Sequence, residues 1–164
     1  MTAATPDFVA ILQVLNAQDV DFIVVGALSA VLQGAPIMTF DLDVVHDRRD
    51  DNIERLLAAL KQLEAHYRGH PEKELSPNAS HLQSPGHQLL TTKYGPLDLL
   101  GAIEDDLSYE DLSSDTVEIM VDDFSVRLLK LRRYVELKEA STREKDQARL
   151  PTLRQTLAER DEDS

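Results

Sequence analysis

The chain has 164 residues, 42% of them hydrophobic, with 17 Lys and Arg against 30 Asp and Glu and a formal net charge of −13. That length and apolar content support a core without staples, and so acidic a surface repels a long nucleic-acid duplex. Cysteine is absent, which excludes disulfides, thiolate metal sites and thiol nucleophiles, and no run approaches the ~18 apolar residues of a membrane span.

The N-terminal "MTAATPDFVA" lacks the basic stretch and apolar block of a secretory signal, so the chain reads as cytoplasmic, with no membrane partner. In "DFVAILQVLNAQ", residues Phe8, Ile11, Leu12 and Leu15 follow the i, i+3, i+4, i+7 spacing of an amphipathic helix. "DFIVVG" reads as a short buried strand stopping at Gly26, and "ALSAVLQG" as a helix ending at Gly34. "MTFDLDVV" is the next predicted strand. "RDDNIERLLAALKQLEAH", with acidic residues first and apolar ones at Ile53, Leu56, Leu57, Leu60 and Leu63, is a surface helix.

From Tyr67 to Gly86 the chain is polar and holds Pro71, Pro77 and Pro85, a loop with at most short structure. "HQLLTTKYGPLDLLG" reads as two strands hinged at Gly95-Pro96, or one bent hairpin. "SYEDLSSD" is a turn or short helix, and "TVEIMV" with "FSVRLL" a hairpin. From Lys130 the pattern is helical, with a break at Ser141-Thr142. Pro151 sits in the first turn of a last helix or kinks a longer one, and the tail "ERDEDS" is expected to fray. The order gives an α/β (α+β) class: a small mixed sheet flanked by helices, one domain over 1–164, with a core of about 20–128 and a C-terminal helical segment 129–160. Residues 127 to 149 hold eight Lys/Arg and four Asp/Glu, a local +4, which leaves −17 for the remainder. One basic element on an acidic body suits a phosphate-bearing ligand of limited size.

"TFDLDVV" carries the main chemical signal. On a strand, Phe40, Leu42 and Val44 share one face while Asp41 and Asp43 share the other. Paired charges of this kind can face solvent, pair with Arg48 or Arg49, or protect a sheet edge from aggregation. A second apolar strand, "PLDLL", carries Asp98. Three carboxylates held together are costly without a neutralising cation, and Mg²⁺ is the hard cation that takes a few carboxylates along with substrate phosphate oxygens. Two such ions can serve an in-line displacement. A phosphate cradle is offered by "VVGALSA", with Gly26 after a strand and Ser29 near a helix start. The five histidines show no metal-ligand spacing, although His46, near a strand end, is placed to touch substrate.

"FIVVGALSAVLQGAPIMTFDLDVV" resembles the opening signature of the DNA polymerase β-like nucleotidyltransferase superfamily: a glycine motif, a short helix, then D-x-D. "LLTTKYGPLDLLGAI" resembles its third carboxylate strand. "LLKLRRYVELKEASTREKDQARLPTL" is similar to the C-terminal helices of small prokaryotic members, including AbiEii-like toxins of toxin–antitoxin systems. The resemblance implies that Gly26, Ser29 and Thr39 bind a nucleoside triphosphate (NTP), and that Asp41, Asp43 and Asp98 hold Mg²⁺, with Asp98 helping to deprotonate the attacking hydroxyl. It also implies that Lys138, Arg143 and Lys145 neutralise phosphates, with Asp146 orienting one of them. The activity so implied is transfer of a nucleoside monophosphate from an NTP, such as ATP, to a hydroxyl on an RNA end, a protein or a small molecule, with tRNA, a protein acceptor or an antitoxin as possible partners. Ala27 stands where the family usually has Gly or Ser, and Ile37 where an arginine is common. These departures leave a catalytically inactive, partner-binding module as the alternative.

Overall fold

The computed structural model describes residues 6–69 and 75–163. Segment 70–74 of the expected polar loop, with His70 and Pro71, and the terminal Ser164 lie outside the described residues.

The elements in chain order are α1 (Phe8–Ala17), β1 (Phe22–Val25), α2 (Gly26–Leu32), β2 (Leu42–His46), α3 (Asp50–Gln62), β3 (His66–Tyr67), α4 (Ala79–Gln83), β4 (His87–Thr92) and β5 (Gly95–Leu100). After these come β6 (Ala102–Ile103), β7 (Leu107–Ser108), α5 (Tyr109–Leu112), β8 (Thr116–Val121), β9 (Phe124–Leu129), α6 (Leu131–Glu139) and α7 (Glu144–Asp163). A seven-stranded mixed sheet runs β3-β4-β5-β2-β1-β9-β8, and β6-β7 form a separate two-stranded ribbon. β2 lies parallel to β5 and antiparallel to β1, and β1 lies parallel to β9.

Strand alternation sorts the core into two layers. On one face Val24, Leu42, Val44, Leu97, Leu99 and Leu128 pack with Ile11, Leu12 and Leu15 of α1 and Ile53, Leu56 and Leu60 of α3. On the other face Ile23, Val25, Val45 and Leu129 pack with Leu131, Tyr134 and Val135 of α6 and Leu150 and Leu153 of α7. Asp43 alternates with Val44 and therefore shares the second face with Val25 and Val45. The C-terminal helices cover that face, so the basic stretch of the sequence is folded onto the carboxylates.

One local departure from the sequence reading bears on the site. The strand expected over 38–45 begins only at Leu42, and residues 38–41 form no regular structure. Phe40, expected beside Leu42 in the core, is 65% exposed. The cause is local: Thr39 Oγ1 accepts the Asp41 N–H (3.4 Å) and donates to the Asp41 carbonyl (3.2 Å), which closes a tight polar turn just before the strand. Pro151 lies inside the single helix α7, the longer-helix alternative of the sequence reading. The helical backbone of α7 also extends through Asp163, into the tail expected to fray.

Candidate active site

The site is built where β1, β2 and β5 lie side by side. Val25 is opposite Asp43 across β1–β2, and Asp43 is opposite Asp98 across the parallel β2–β5 pair. In register on adjacent strands, Asp43 and Asp98 point from the same face, and their carboxyls hydrogen-bond to each other. Asp41 sits on the exposed turn ahead of β2. Burial holds the Asp43 carboxyl up at about 7, reinforced by the hydrogen bond to Asp98 and the charges of Asp98 and Asp41, with Lys138 opposing.

Solvent exposure accounts for Asp41, but none of the ordinary explanations for paired aspartates fits Asp43. β2 is an interior strand, not an edge. Arg49 pairs with Asp47 (2.8 Å) and Asp21 (3.2 Å), and Arg48 donates to the Gln83 carbonyl, so neither arginine serves Asp41 or Asp43. Asp43 lines a cleft beneath α6 rather than an open sheet face.

Three neighbours fix the pair. Gly26 begins α2 at φ +69°, and a Cβ there would overlap Asp43 Oδ2, so only glycine lets the chain turn against that carboxylate. Arg68 donates to Asp98 Oδ1 (2.7 Å) and to the Leu90 carbonyl (2.7 Å), which braces Asp98 on the side away from Asp43. Lys138 comes down from α6, 3.0 Å from Glu104 Oε1 and 3.9 Å from Asp146 Oδ2, with its ammonium 5.4 Å from the centre of the Tyr134 ring. Asp146 also accepts from Ser141 Oγ (2.7 Å), which ties the α6–α7 break to this cation.

Two hollows meet at Gly26, Asp43, Tyr134, Lys138 and Arg143. The larger, about 500 Å³, is walled by Leu89, Leu100, Ile103, Leu129 and Leu137, with Asp98, His87 and Glu104 as polar groups. The smaller, about 260 Å³, is lined by Thr39, Asp41, Lys145 and Arg149, and by Met38 and Phe40 at its rim. Of the residues singled out in the sequence, Gly26, Thr39, Asp41, Asp43, Lys138, Arg143 and Lys145 thus line the smaller hollow, and Asp98 the larger.

Ser29 and His46 stand apart. Ser29 is fully buried, and its hydroxyl donates to the Gly26 carbonyl (2.6 Å), so it shapes the turn and offers no side chain to the cleft. His46 alternates onto the opposite face from Asp43, is 1% exposed and bonds the Leu82 carbonyl through Nε2 (2.7 Å). The sequence reading missed Arg68, Tyr134, Glu104 and Arg149. Tyr134 is four residues before Lys138 and so on the same helical face, a spacing that could have revealed it. Arg68 carries no such mark, since only the β3–β4–β5 pairing brings it to Asp98.

No protein-family model matches the chain, and no curated protein matches it by sequence. Solved structures do. The lincosamide antibiotic adenylyltransferase LnuA, with lincomycin bound, aligns over 90% of this chain and 94% of its own at 15% identity and a TM-score of 0.59. A Thermotoga maritima protein provisionally assigned as a nucleotidyltransferase aligns over 92% and 89% at 19% identity and a TM-score of 0.52. The chain has the nucleotidyltransferase fold, a mixed sheet flanked by helices. Among the described residues no helix is long and apolar enough to cross a membrane.

The donor chemistry can be compared with Mg²⁺ directly. Among the described residues no three His, Cys, Asp or Glu side chains stand close enough to hold a metal ion by themselves. Of the expected triad, Asp43 and Asp98 form a half-buried pair, with Asp41 at the rim. That set fits the ion, because Mg²⁺ is ordinarily held by one or two carboxylates with water and substrate phosphate completing its shell. Burial and the neighbouring carboxylates raise the proton affinity of Asp43, a cost that a bound cation would relieve.

Proposed function

We propose that this chain is a Mg²⁺-dependent nucleotidyltransferase that moves a nucleoside monophosphate from an NTP to a hydroxyl of a small molecule. The observation that carries this reading is the Asp43–Asp98 carboxyl pair, set beside two adjoining hollows that meet at Asp43 and Lys138. Bound there with Asp41 at its side, Mg²⁺ would supply charge neutralisation at the reacting phosphate and a more acidic acceptor hydroxyl.

The chain's own groups do the positioning. Lys138, Arg143 and Lys145 line the smaller hollow, and their charges suit a triphosphate. Gly26 lets the backbone pass close to the phosphates and to Asp43 at once. In the larger hollow the acceptor hydroxyl approaches Asp98, which takes its proton as the new O–P bond forms at the α-phosphorus. The α–β phosphoanhydride bond breaks in line, and pyrophosphate leaves on the cationic side. Arg68 holds Asp98 in place for that transfer.

The walls of the larger hollow favour a compact acceptor. A volume of about 500 Å³ lined by aliphatic side chains together with polar and charged groups such as Asp98, His87 and Glu104 suits a small, partly apolar molecule. LnuA, whose fold is similar and whose structure holds lincomycin, supports that choice. An RNA acceptor is disfavoured because part of the basic stretch is engaged within the protein. Arg127 donates to Tyr109, Ser113 and Thr116, and Arg133 pairs with Asp115 and Glu136. The test is transfer of α-labelled phosphate from each NTP, with Mg²⁺, to a panel of small hydroxylated acceptors. Transfer is expected from the wild type and lost in Asp43→Ala and Asp98→Ala; transfer that persists in both variants overturns the proposal.

A further inference from the structure

We infer that Phe40 is the stacking platform for the nucleobase, and that the site consequently binds NTPs with little discrimination among bases. The inference rests on the reading of the smaller hollow as the triphosphate site. Phe40 and Met38 are 65% and 69% exposed, two large apolar side chains side by side on a turn immediately before Asp41. The fold does not need them there, since Leu42 and Val44 fill the core positions of the strand. The turn is nevertheless held in place. Thr39 bonds the Asp41 backbone in both directions, and Arg149 Nη2 donates to the Met38 carbonyl (3.0 Å), which pins the segment to α7.

The hollow these side chains line joins cationic and apolar groups. Lys138, Arg143 and Lys145 line it together with Asp41 and Asp43, while Met38 and Phe40 form its apolar border. A nucleotide presents the same two kinds of surface, charged phosphates and a flat apolar face. At about 260 Å³ the hollow holds only part of an NTP, so with the phosphates inside, the base lies over the rim. There an exposed phenyl ring offers a π-face that any base can use. Stacking reads ring faces rather than base edges, hence the weak discrimination.

The protein has no tryptophan, so Phe40→Trp introduces a single indole at this position. The experiment titrates that variant with Mg²⁺ and each of the four NTPs, and separately with inorganic tripolyphosphate, following Trp emission. In parallel, calorimetry measures binding to the wild type and to Phe40→Ala. The expected result is saturable quenching by every NTP, with dissociation constants within about tenfold of one another, and none by tripolyphosphate. Phe40→Ala should weaken NTP binding by about tenfold or more and leave tripolyphosphate binding unchanged. NTP binding without quenching, or equal weakening of NTP and tripolyphosphate by Phe40→Ala, overturns the stacking role while leaving the triphosphate site standing. Absence of any Mg²⁺-dependent NTP binding to the wild type overturns both.

Discussion

Asp43 sets the needs of the fold against those of its charge. Its neighbours along β2, Leu42 and Val44, are core residues, and its register partner is another acid. Without a cation, the cheapest resolution is a proton held by the pair, which is why burial and Asp98 hold the Asp43 carboxyl up at about 7. The sign of the consequence follows by linkage. An acid whose folded value lies above its ordinary 3.8 binds more protons folded than unfolded between those values. Stability of the metal-free protein therefore falls as pH rises from about 4 to about 7, and does not fall further on this account above that. Asp43→Asn removes the titration. In EDTA at pH 8 the variant should be more stable than the wild type by an amount on the order of 2–4 kcal/mol, and the difference should shrink toward pH 4. Paired urea melts across that range check it; a difference independent of pH would show that Asp43 carries no such strain. Phe40, at the same scale, shows where sequence reading loses its hold. Its period-two match to Leu42 and Val44 is real, but the strand has not yet begun, and nothing in the period marks the Thr39 turn that puts the ring outside.

Elements bring the site together across long sequence distances. The strand positions of Asp43 and Asp98 were legible because each interrupts an apolar run, and alternation alone then assigns a face. From residue pattern alone the partners across that face were legible only as a basic helical stretch; Lys138, Arg143 and Lys145 were singled out by resemblance, and which residues reach the cleft depends on how α6 and α7 meet. Asp146 governs that junction. It is 7% exposed, accepts from Ser141 Oγ at the break and faces Lys138 at 3.9 Å. Asp146→Ala should release the Ser141 contact and leave Lys138 with Glu104 as its carboxylate partner beside the Tyr134 ring, drawing it away from the smaller hollow. A loss of about 1–3 kcal/mol is expected, from removal of a buried charged hydrogen-bond acceptor. Weaker Mg²⁺-NTP binding should accompany it. Thermal melts and calorimetry separate the two effects, and a stability loss with unchanged nucleotide affinity would confine Asp146 to a purely architectural part. Ser29 shows the converse. Its position near a helix start suggested phosphate contact, but a seven-residue helix packed against the sheet turns that side chain inward, where it closes on Gly26.

For the whole molecule, the order of elements in the sequence was enough to give a mixed sheet between helices. The strand order was not legible, because β2 pairing with β5 across more than fifty residues is set by packing, not by local pattern. That long-range pairing is what brings two isolated aspartates into register, and the two-layer core is what lays the cationic helices over them. An acidic chain with charge −13 thereby keeps a local cluster of Lys138, Arg143, Lys145 and Arg149 on one hollow, an arrangement suited to a compact polyanion and not to a polymer. The most direct measurement is a crystal structure of the protein with Mn²⁺ in place of Mg²⁺ and a non-hydrolysable NTP analogue. The expected anomalous peak lies between the Asp43 and Asp98 carboxylates, with the triphosphate against Lys138 and Arg143 and displacing the proton that the pair otherwise shares. A metal bound elsewhere, or an analogue seated away from both hollows, would contradict the assignment of this pair as the reaction centre.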